Sequence, residues 1–320
     1  MKYLAELNEG DSLSDVYLCK YKAQAETRNG KPYYNVILQD KTGTLDAKVW
    51  EINSSGIADF DAMDYIYVHG DVTRYQGALQ GSLRRVKVAV DGEYIPSDYL
   101  PVSPFDGENM YNDLKAVIET VGNPYLKKLL KAFFIEDKEF TEKFRMSSAA
   151  KSIHHSFVGG LIQHTLAVTR LCKYYVKVYP ALNHDLLISA ALLHDIGKTR
   201  EISGFPQNDY TDDGQLLGHI VMGSEMIGRK AEDIEGFPPK LLSELQHCIL
   251  AHHGEYEFGS PKKPALMEAL ALNMADNTDA KMETFSEILG TLSPERRDQW
   301  MGYNRLFESN IRKAGDWKEQ

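Results

Sequence analysis

Hydrophobic and polar residues alternate with a period of two through most of residues 1–90, and short polar turns interrupt the alternation. Such alternation is typical of β-strands that bury one face. The predicted strands cover residues 14–27, 33–40, 45–50, 65–75 and 79–90. Hairpin turns are expected at Asn29-Gly30, Lys41-Thr42-Gly43 and Gln76-Gly77. Five short strands in this length predict a small closed β-barrel.

From residue 108 onward, hydrophobic residues recur at helical spacing instead. The predicted helices cover residues 110–118, 124–134, 160–178, 186–193, 222–232, 239–250, 265–283 and 294–314. Between the two patterns, residues 91–107 contain Pro96, Pro101 and Pro104, which disfavour both a helix and a central strand, so a linker is expected there. The fold class predicted is multidomain α and β, with a five-stranded barrel domain at 1–90 and an all-α domain at 108–320.

Composition places the chain among ordinary globular proteins. Its 320 residues, 43% of them hydrophobic, are enough for two domains with their own cores. No apolar run is long enough to span a bilayer, and residues 1–11 lack the apolar centre of a secretion signal. Cys19, Cys172 and Cys248 form no Cys-x-x-Cys pair and are expected to be reduced and buried. We therefore expect a cytoplasmic protein with no membrane partner.

A formal net charge of -10 restricts how this chain could bind nucleic acid. Binding a duplex over a broad surface usually needs a basic face of the protein. The acidic balance argues against that mode, so any contact with nucleic acid is expected to be local.

Candidate chemistry begins with the segment His194-Asp195-Ile196-Gly197-Lys198, which follows an apolar run. Gly197 is expected to end or bend the helix there, so that the His194 and Asp195 side chains project at an opening. His164 and Asp276 on other predicted helices complete a mixed nitrogen and oxygen ligand set for one or two divalent ions. This set predicts metal-assisted hydrolysis of a phosphoester.

The order of these residues resembles the HD superfamily of metal-dependent phosphohydrolases, and the resemblance covers nearly all of the helical domain. It implies that His164, His194, Asp195 and Asp276 bind the first ion and that Lys198 lies near the scissile phosphate. Chemically, Asp195 can bridge two ions, and a divalent ion makes water a usable nucleophile near neutral pH. Lys198 would balance charge on the phosphoryl oxygens. The alternative for Lys198 is a solvated lysine after a helix end.

Further histidines distinguish between one-metal and two-metal sites. His219, His252 and His253 have no necessary place in a one-metal site, and their order is similar to the second-metal ligands of two-metal members such as the HD-GYP phosphodiesterases. The chain departs from that group because it lacks the Gly-Tyr-Pro signature and has Gly160 where a glutamate ligand is expected. One metal is therefore expected to have an open or water-filled position, or else His155 approaches as a metal or substrate contact. The other histidines are expected to be structural or surface residues: His69, His154, His184 and His247.

The combination of domains narrows the family. Residues 35–50 resemble the central hairpin of an OB-fold. A barrel of this type before the helical domain, together with the segment from His154-His155 through Gly159-Gly160-Leu161 to His164, resembles the YhaM-type 3'-5' exoribonucleases over almost the whole chain. The resemblance implies a manganese-type divalent requirement, and a single-stranded RNA or DNA substrate shortened from its 3' end to nucleoside monophosphates. Fe, Co, Ni and Zn also accept such ligands.

Barrels of this type bind single strands by stacking bases on aromatic side chains while cations contact the backbone. The candidates for these contacts are Tyr21, Tyr34, Trp50 and Tyr75 for stacking, and Lys48, Arg74, Arg84 and Arg85 for phosphates. For each residue the alternative is ordinary packing or a solvated charge. Binding of nucleic acid by the barrel is therefore a hypothesis that depends mainly on the family resemblance.

Three functions remain in competition at this point. The first is a two-metal exoribonuclease whose barrel guides single-stranded substrate. The second is a nucleotide or cyclic-dinucleotide phosphohydrolase, and the third is a nucleic-acid-binding regulator with a vestigial metal site. A homo-oligomer is left open, since the predicted helix 294–314 packs either on the helical core or on another subunit.

Overall fold

The computed structural model describes residues 2–100, 102–151, 155–290 and 300–315. The chain divides into two compact units, one of Met1–Val102 with Phe205–Gln207 and one of Ser103–Gly204 with Asn208–Gln320. The predicted linker, 91–107, is thus shared between the two units. Within the described residues, no helix is both long and apolar enough to cross a membrane.

The first unit is a closed barrel of five strands, which confirms the predicted architecture. The strands are β1 (Ser12–Glu26), β2 (Pro32–Asp40), β3 (Gly43–Val49), β4 (Tyr65–Tyr75) and β5 (Ala78–Val88). They follow the order β1-β2-β3-β5-β4, with β3 and β5 parallel and the other neighbours antiparallel. Alternate side chains fill the interior, as the period-two pattern requires: Val36, Leu38, Ala47, Val49 and Ile66 are fully buried.

Residues after β5 remain packed on the barrel. The Tyr94 ring stacks on Tyr65 of β4 with 3.9 Å between ring centroids. The Gln39 side chain donates to the Tyr99 carbonyl at 3.1 Å. Residues 91–100 therefore pack on one side of the first unit, and Pro96 begins a short 3-10 helix within them.

The second unit is helical over most of its described length. Its helices are α1 (Gly107–Glu119), α2 (Pro124–Lys131), α3 (Lys138–Met146), α4 (Gly160–Val178), α5 (His184–Leu193), α6 (Lys198–Glu201), α7 (Asp212–Glu232), α8 (Pro239–Leu250) and α9 (Met267–Gly290). A π-helical turn, Ala132–Glu136, follows α2. Helix α5 packs against α2, α4, α8 and α9, and residues 186–193 are all buried. The His194-Asp195 pair therefore follows a helix enclosed by the core.

The helix predictions need correction in several places. The predicted helix 294–314 is wrong over its described part, where residues form an antiparallel hairpin of β6 (Trp300–Asn304) and β7 (Ser309–Arg312), while residues 294–299 lie outside the described ranges. The Asn304 side chain accepts from the Leu306 and Phe307 backbone N–H groups, which makes a turn that interrupts helical spacing. Helices α3 and α6 were not predicted, and α7 begins at Asp212, ahead of the predicted 222.

Candidate metal centre

Five segments of the helical unit bring the predicted ligands together. His164 lies on α4, and His194 and Asp195 lie in the turn after α5. His219 comes from α7 and Asp276 from α9, while His252 and His253 directly follow α8 and its cap. Helices α4, α8 and α9 pack against α5, and α7 packs against α6 and α8. Because these segments are distant in sequence, the ligand set exists only in the folded unit.

The first group of donor atoms is compact. His164 Nε2 lies 3.2 Å from His194 Nε2, 3.4 Å from Asp195 Oδ2 and 3.1 Å from Asp276 Oδ1. His194 Nε2 lies 3.3 Å from Asp195 Oδ2 and 3.9 Å from Asp276 Oδ1. Donor atoms that share one divalent ion at about 2.0–2.2 Å lie roughly 3.0–3.5 Å apart. Four of these five distances lie in that range and the one between His194 Nε2 and Asp276 Oδ1 is longer, so the atoms are close to the spacing of ligands to a single ion.

A second group lies on the other side of Asp195. Its Oδ1 atom is 3.5 Å from His219 Nε2 and 3.7 Å from His252 Nε2. Donor atoms of His219, His252 and His253 all lie within 4.8 Å of one another. The two oxygens of Asp195 thus face two different groups of imidazole nitrogens, which is the arrangement of a bridging carboxylate.

Unsatisfied polar atoms test whether metal ions fit this site. Asp195 Oδ1, His219 Nε2 and His252 Nε2 are buried and have no hydrogen-bond partner among the described residues. Buried polar groups are nearly always satisfied, so three such atoms converging on one space need a ligand. Neutral nitrogens and carboxylate oxygens suit a divalent cation, and the residues present fit such an ion at each group.

Backbone carbonyls fix the orientation of three imidazoles. Nδ1 of His194 donates to the Ala191 carbonyl at 2.8 Å, and Nδ1 of His252 donates to the Ile249 carbonyl at 2.6 Å. His253 Nδ1 donates to the Phe258 carbonyl at 2.8 Å. Because a carbonyl only accepts, each ring carries its proton on Nδ1 and presents an Nε2 lone pair.

Metal binding requires neutral imidazoles and charged carboxylates, and the ionisation of Asp195, Asp276 and His252 suits it. His164 differs, because Asp195, Asp276 and Asp279 outweigh burial and hold its pKa well above the usual value, so an ion would displace its Nε2 proton. Burial disfavours the charge on Asp195, but the nearby Lys198 and His194 outweigh burial and hold the pKa of the carboxyl well below its usual range. Burial likewise opposes the charge on Asp276, while the hydrogen bond with His164 lowers its pKa. Burial lowers the pKa of His252 well below the usual value.

Two carboxylates that contact the ligands were not found from the sequence. Asp279 Oδ2 accepts from His164 Nδ1 at 2.7 Å, and Glu201 Oε1 accepts from His219 Nδ1 at 2.9 Å. Asp279 lies one helical turn after Asp276 on α9, and that spacing is the signal that could have indicated it. Glu201 has no comparable signal, because its short helix, α6, carries no proposed metal ligand.

Lys198 and His155, the other predicted catalytic residues, lie in different positions around the ligands. Lys198 Nζ donates to Asp195 Oδ2 at 2.6 Å, and its side chain is 13% exposed, so it is not a solvated lysine. His155 is buried behind His164, with its Nε2 3.0 Å from Asp279 Oδ2. A Cβ on Gly160 would lie 2.0 Å from the His155 carbonyl oxygen, so no glutamate fits there.

The remaining histidines lie outside the two groups of donor atoms. His69 is on β4 of the barrel, and His184 begins α5 with its ring beside Asp185. His247 Nε2 accepts from the Ala265 backbone N–H at 2.9 Å, which is a structural role. His154 lies outside the described residues.

The aromatic candidates of the barrel differ in exposure. Tyr21, Trp50 and Tyr75 are 46%, 41% and 59% exposed, so their rings are accessible. Tyr34 packs against the barrel core and meets Phe60 edge-on with 6.0 Å between centroids, which corresponds to ordinary packing.

The basic candidates of the barrel differ in their partners. Lys48 donates to the Asn35 side chain, and Arg74 pairs with Glu9 at 3.3 Å. Arg84 and Arg85 line a surface cavity of about 520 Å³. The other residues that line this cavity are Ser14, Tyr67 and His69. Arg84 and Arg85 thus share a concave surface with an aromatic ring.

Comparison with known proteins identifies the family. The HD domain family model matches residues 161–281. The chain is 36% identical to the 3'-5' exoribonuclease YhaM of Geobacillus sp. (strain WCH70) over 282 residues, which cover 88% of this chain and 86% of that protein.

Two solved structures are similar to part of the chain. One is a replication protein A heterotrimer bound to ssDNA, with 18% identity over 28% of this chain and 64% of that chain and a TM-score of 0.22. The other is the second OB-fold domain of replication protein A from Methanococcus maripaludis, with 17% identity over 29% of this chain and 97% of that chain and a TM-score of 0.21. With its match to YhaM over most of both sequences, the chain belongs to the YhaM 3'-5' exoribonuclease family.

Proposed function

We propose that this protein is a metal-dependent 3'-5' exoribonuclease that hydrolyses phosphodiester bonds of single-stranded RNA and releases nucleoside monophosphates. The observation that carries the proposal is the position of Asp195, whose two oxygens lie 3.4 Å from His164 Nε2 and 3.5 Å from His219 Nε2. This arrangement occurs in a chain of the YhaM family. Single-stranded DNA is proposed as a second substrate.

The proposed ligands divide between two ions. His164, His194, Asp195 and Asp276 would hold the first ion, and Asp195, His219, His252 and His253 would hold the second. Ions bound there would supply Lewis acidity at the phosphoryl oxygens and lower the pKa of water. Manganese is the proposed metal, and Fe, Co, Ni and Zn suit the same ligands.

The chain's own residues organise the charge of the site. Asp195 and Asp276 are held as carboxylates, so they offset the charge of the cations. Lys198 places a positive Nζ beside Asp195, where it can move to a phosphoryl oxygen that gains charge. The burial of His194, Asp195 and His252 keeps bulk water away and strengthens these interactions.

The barrel is proposed to bind the single strand through a local surface. Tyr67, His69, Arg84 and Arg85 line one cavity, where the guanidinium groups would contact phosphates and the ring would stack on a base. Tyr21, Lys48, Trp50, Arg74 and Tyr75 are proposed as further contacts. A local surface is compatible with a net charge of -10 because only a few phosphates need cationic partners. The free, buried cysteines support a cytoplasmic, reducing location.

The test uses single-stranded RNA labelled at its 3' end and the purified full-length protein loaded with manganese. Early release of labelled mononucleotide is expected, because the terminal residue leaves first. RNA that stays intact would contradict the proposal. Hydrolysis of free nucleotides or cyclic dinucleotides by the same preparation would then support the small-substrate alternative.

A further inference from the structure

The imidazoles of the metal centre are anchored in two different ways. His194, His252 and His253 donate from Nδ1 to backbone carbonyls, whereas His164 and His219 donate to carboxylates that are not ligands. We propose that Asp279 and Glu201 are positioning residues, one for each ion, that hold His164 and His219 in the metal-binding tautomer. This inference rests on the proposed two-metal function and concerns residues outside its ligand set.

Asp279 is placed to act on the first ion through His164. Its Oδ2 atom accepts from His164 Nδ1 at 2.7 Å and from His155 Nε2 at 3.0 Å. One carboxylate oxygen thus receives both imidazoles, and an ionised carboxylate can only accept. The hydrogen bond from Nδ1 to Asp279 leaves Nε2, the atom nearest Asp195 and Asp276, as the one that would bind a metal ion.

Glu201 is placed to act on the second ion through His219. One oxygen, Oε1, accepts from both the backbone N–H and the Nδ1 of His219, each at 2.9 Å. Gly218 makes this possible, because its φ of 75° interrupts α7 and frees the His219 N–H from helical bonding. The Glu201 carboxylate therefore fixes the backbone and the ring of His219 together.

Charge balance gives a reason for carboxylates at these two positions. Two divalent ions would bring four positive charges, whereas the ligands Asp195 and Asp276 supply only two negative ones. Asp279 and Glu201 supply two more from behind the imidazoles, at side-chain exposures of 15% and 11%, while Lys198 adds one positive charge beside Asp195. Such partners raise the basicity of an imidazole ligand as well as orienting it.

The two carboxylates contact different groups, so their effects should separate. Asp279 bonds to His164, which belongs to the first group, and Glu201 bonds to His219, which belongs to the second. Each alanine variant is therefore expected to weaken the binding of one ion and to leave the binding of the other unchanged. The matched controls are Glu283→Ala, one turn after Asp279 on α9, and Glu225→Ala, which removes surface ion pairs with Arg200 and Arg229.

The experiment measures manganese bound per chain in the full-length protein by equilibrium dialysis and elemental analysis, with electron paramagnetic resonance to detect coupled ion pairs. The parent and both controls are expected to bind two coupled ions. Asp279→Ala and Glu201→Ala are each expected to bind one of the two ions about 10- to 100-fold more weakly and to lose the coupled signal at limiting metal. Asp279→Asn and Glu201→Gln keep an acceptor and should lose less affinity.

The outcomes separate this inference from the proposed function. A parent protein that binds no manganese would contradict the proposed function itself. A parent that binds two ions, with unchanged affinity at both sites in the alanine and amide variants, would overturn the positioning roles alone. If an alanine variant does not fold, the amide variant decides, because an unchanged affinity there has the same meaning.

Discussion

Lys198 Nζ lies 2.6 Å from Asp195 Oδ2, so a cation directly contacts the carboxylate that faces both groups of imidazoles. Lys198 is the first residue of α6, immediately after the turn that carries the ligand pair. Burial disfavours its charge, but Asp195 and Asp276 raise the pKa of Lys198, so the side chain stays protonated. A fixed positive charge is therefore available beside the proposed phosphate position.

Removal of this cation should slow the chemistry without removing the metal. Lys198→Ala is expected to lower kcat on single-stranded RNA by about 10²- to 10³-fold, the usual effect of losing one donor that stabilises transition-state charge. Bound manganese per chain should stay near the parent value. Lys240→Ala, which removes only an exposed pair with Glu244, is the control. An unchanged kcat would exclude a role for Lys198 at the phosphate.

Substitution of the two carboxylate ligands should distinguish a bridging ligand from a single one. Asp195→Asn is expected to weaken the binding of both ions, because each oxygen of Asp195 faces a different group of imidazoles. Asp276→Asn should weaken the binding of the first ion only, since Asp276 Oδ1 lies 3.1 Å from His164 Nε2 in the first group. Elemental analysis after dialysis measures the difference. Equal loss of metal in the two variants would contradict the bridging position.

A methyl group at Gly197 should displace His219, a member of the second group of donor atoms. A Cβ there would lie 2.0 Å from the His219 carbonyl oxygen, so α7 would have to move away. Gly197→Ala is expected to reduce the free energy of unfolding by about 1 to 3 kcal/mol, as overpacking typically does. It should also weaken the binding of the second ion. The control is Gly107→Ala, where a Cβ meets no atom within 4 Å. Thermal unfolding of both variants tests this, and equal melting temperatures would contradict it.

The cavity on the barrel predicts a salt-dependent defect in binding. The double variant Arg84→Gln and Arg85→Gln is expected to weaken binding of single-stranded RNA. The slope of log affinity against log salt should fall by about 0.7 for each phosphate that no longer has a cationic partner. Lys20→Gln, an exposed position on β1 outside the cavity lining, serves as the control. Fluorescence anisotropy at several salt concentrations measures both effects. A slope equal to that of the parent would show that the RNA does not bind at this cavity.

The sequence predicted the barrel and the buried α5 because the alternation of hydrophobic residues in the strands and the apolar run of α5 both follow from burial. It also predicted seven residues that the fold brings together, since histidine and aspartate in this order are rare outside a metal site. Asp279 and Glu201 were missed because carboxylates are common on helices, and only the folded chain shows which imidazole each one contacts.

The hairpin near the C-terminus shows how a local turn can override a helical pattern. Trp300, Tyr303 and Phe307 are spaced as on a helix face, which favoured the wrong prediction. Gly302, with a φ of 88°, breaks helical geometry within β6 where the strand register shifts, and the side-chain hydrogen bonds of Asn304 favour the turn that follows. Spacing of apolar residues alone could not distinguish these outcomes.

The most direct test of the central claim is a time course with manganese on single-stranded RNA labelled at its 5' end. The parent protein should produce a descending ladder of labelled products, and a chelator should stop it. Asp195→Asn, purified and assayed in parallel, should leave the RNA intact. A ladder of equal rate from Asp195→Asn, or from parent protein held in excess chelator, would contradict a metal-dependent reaction centred on Asp195.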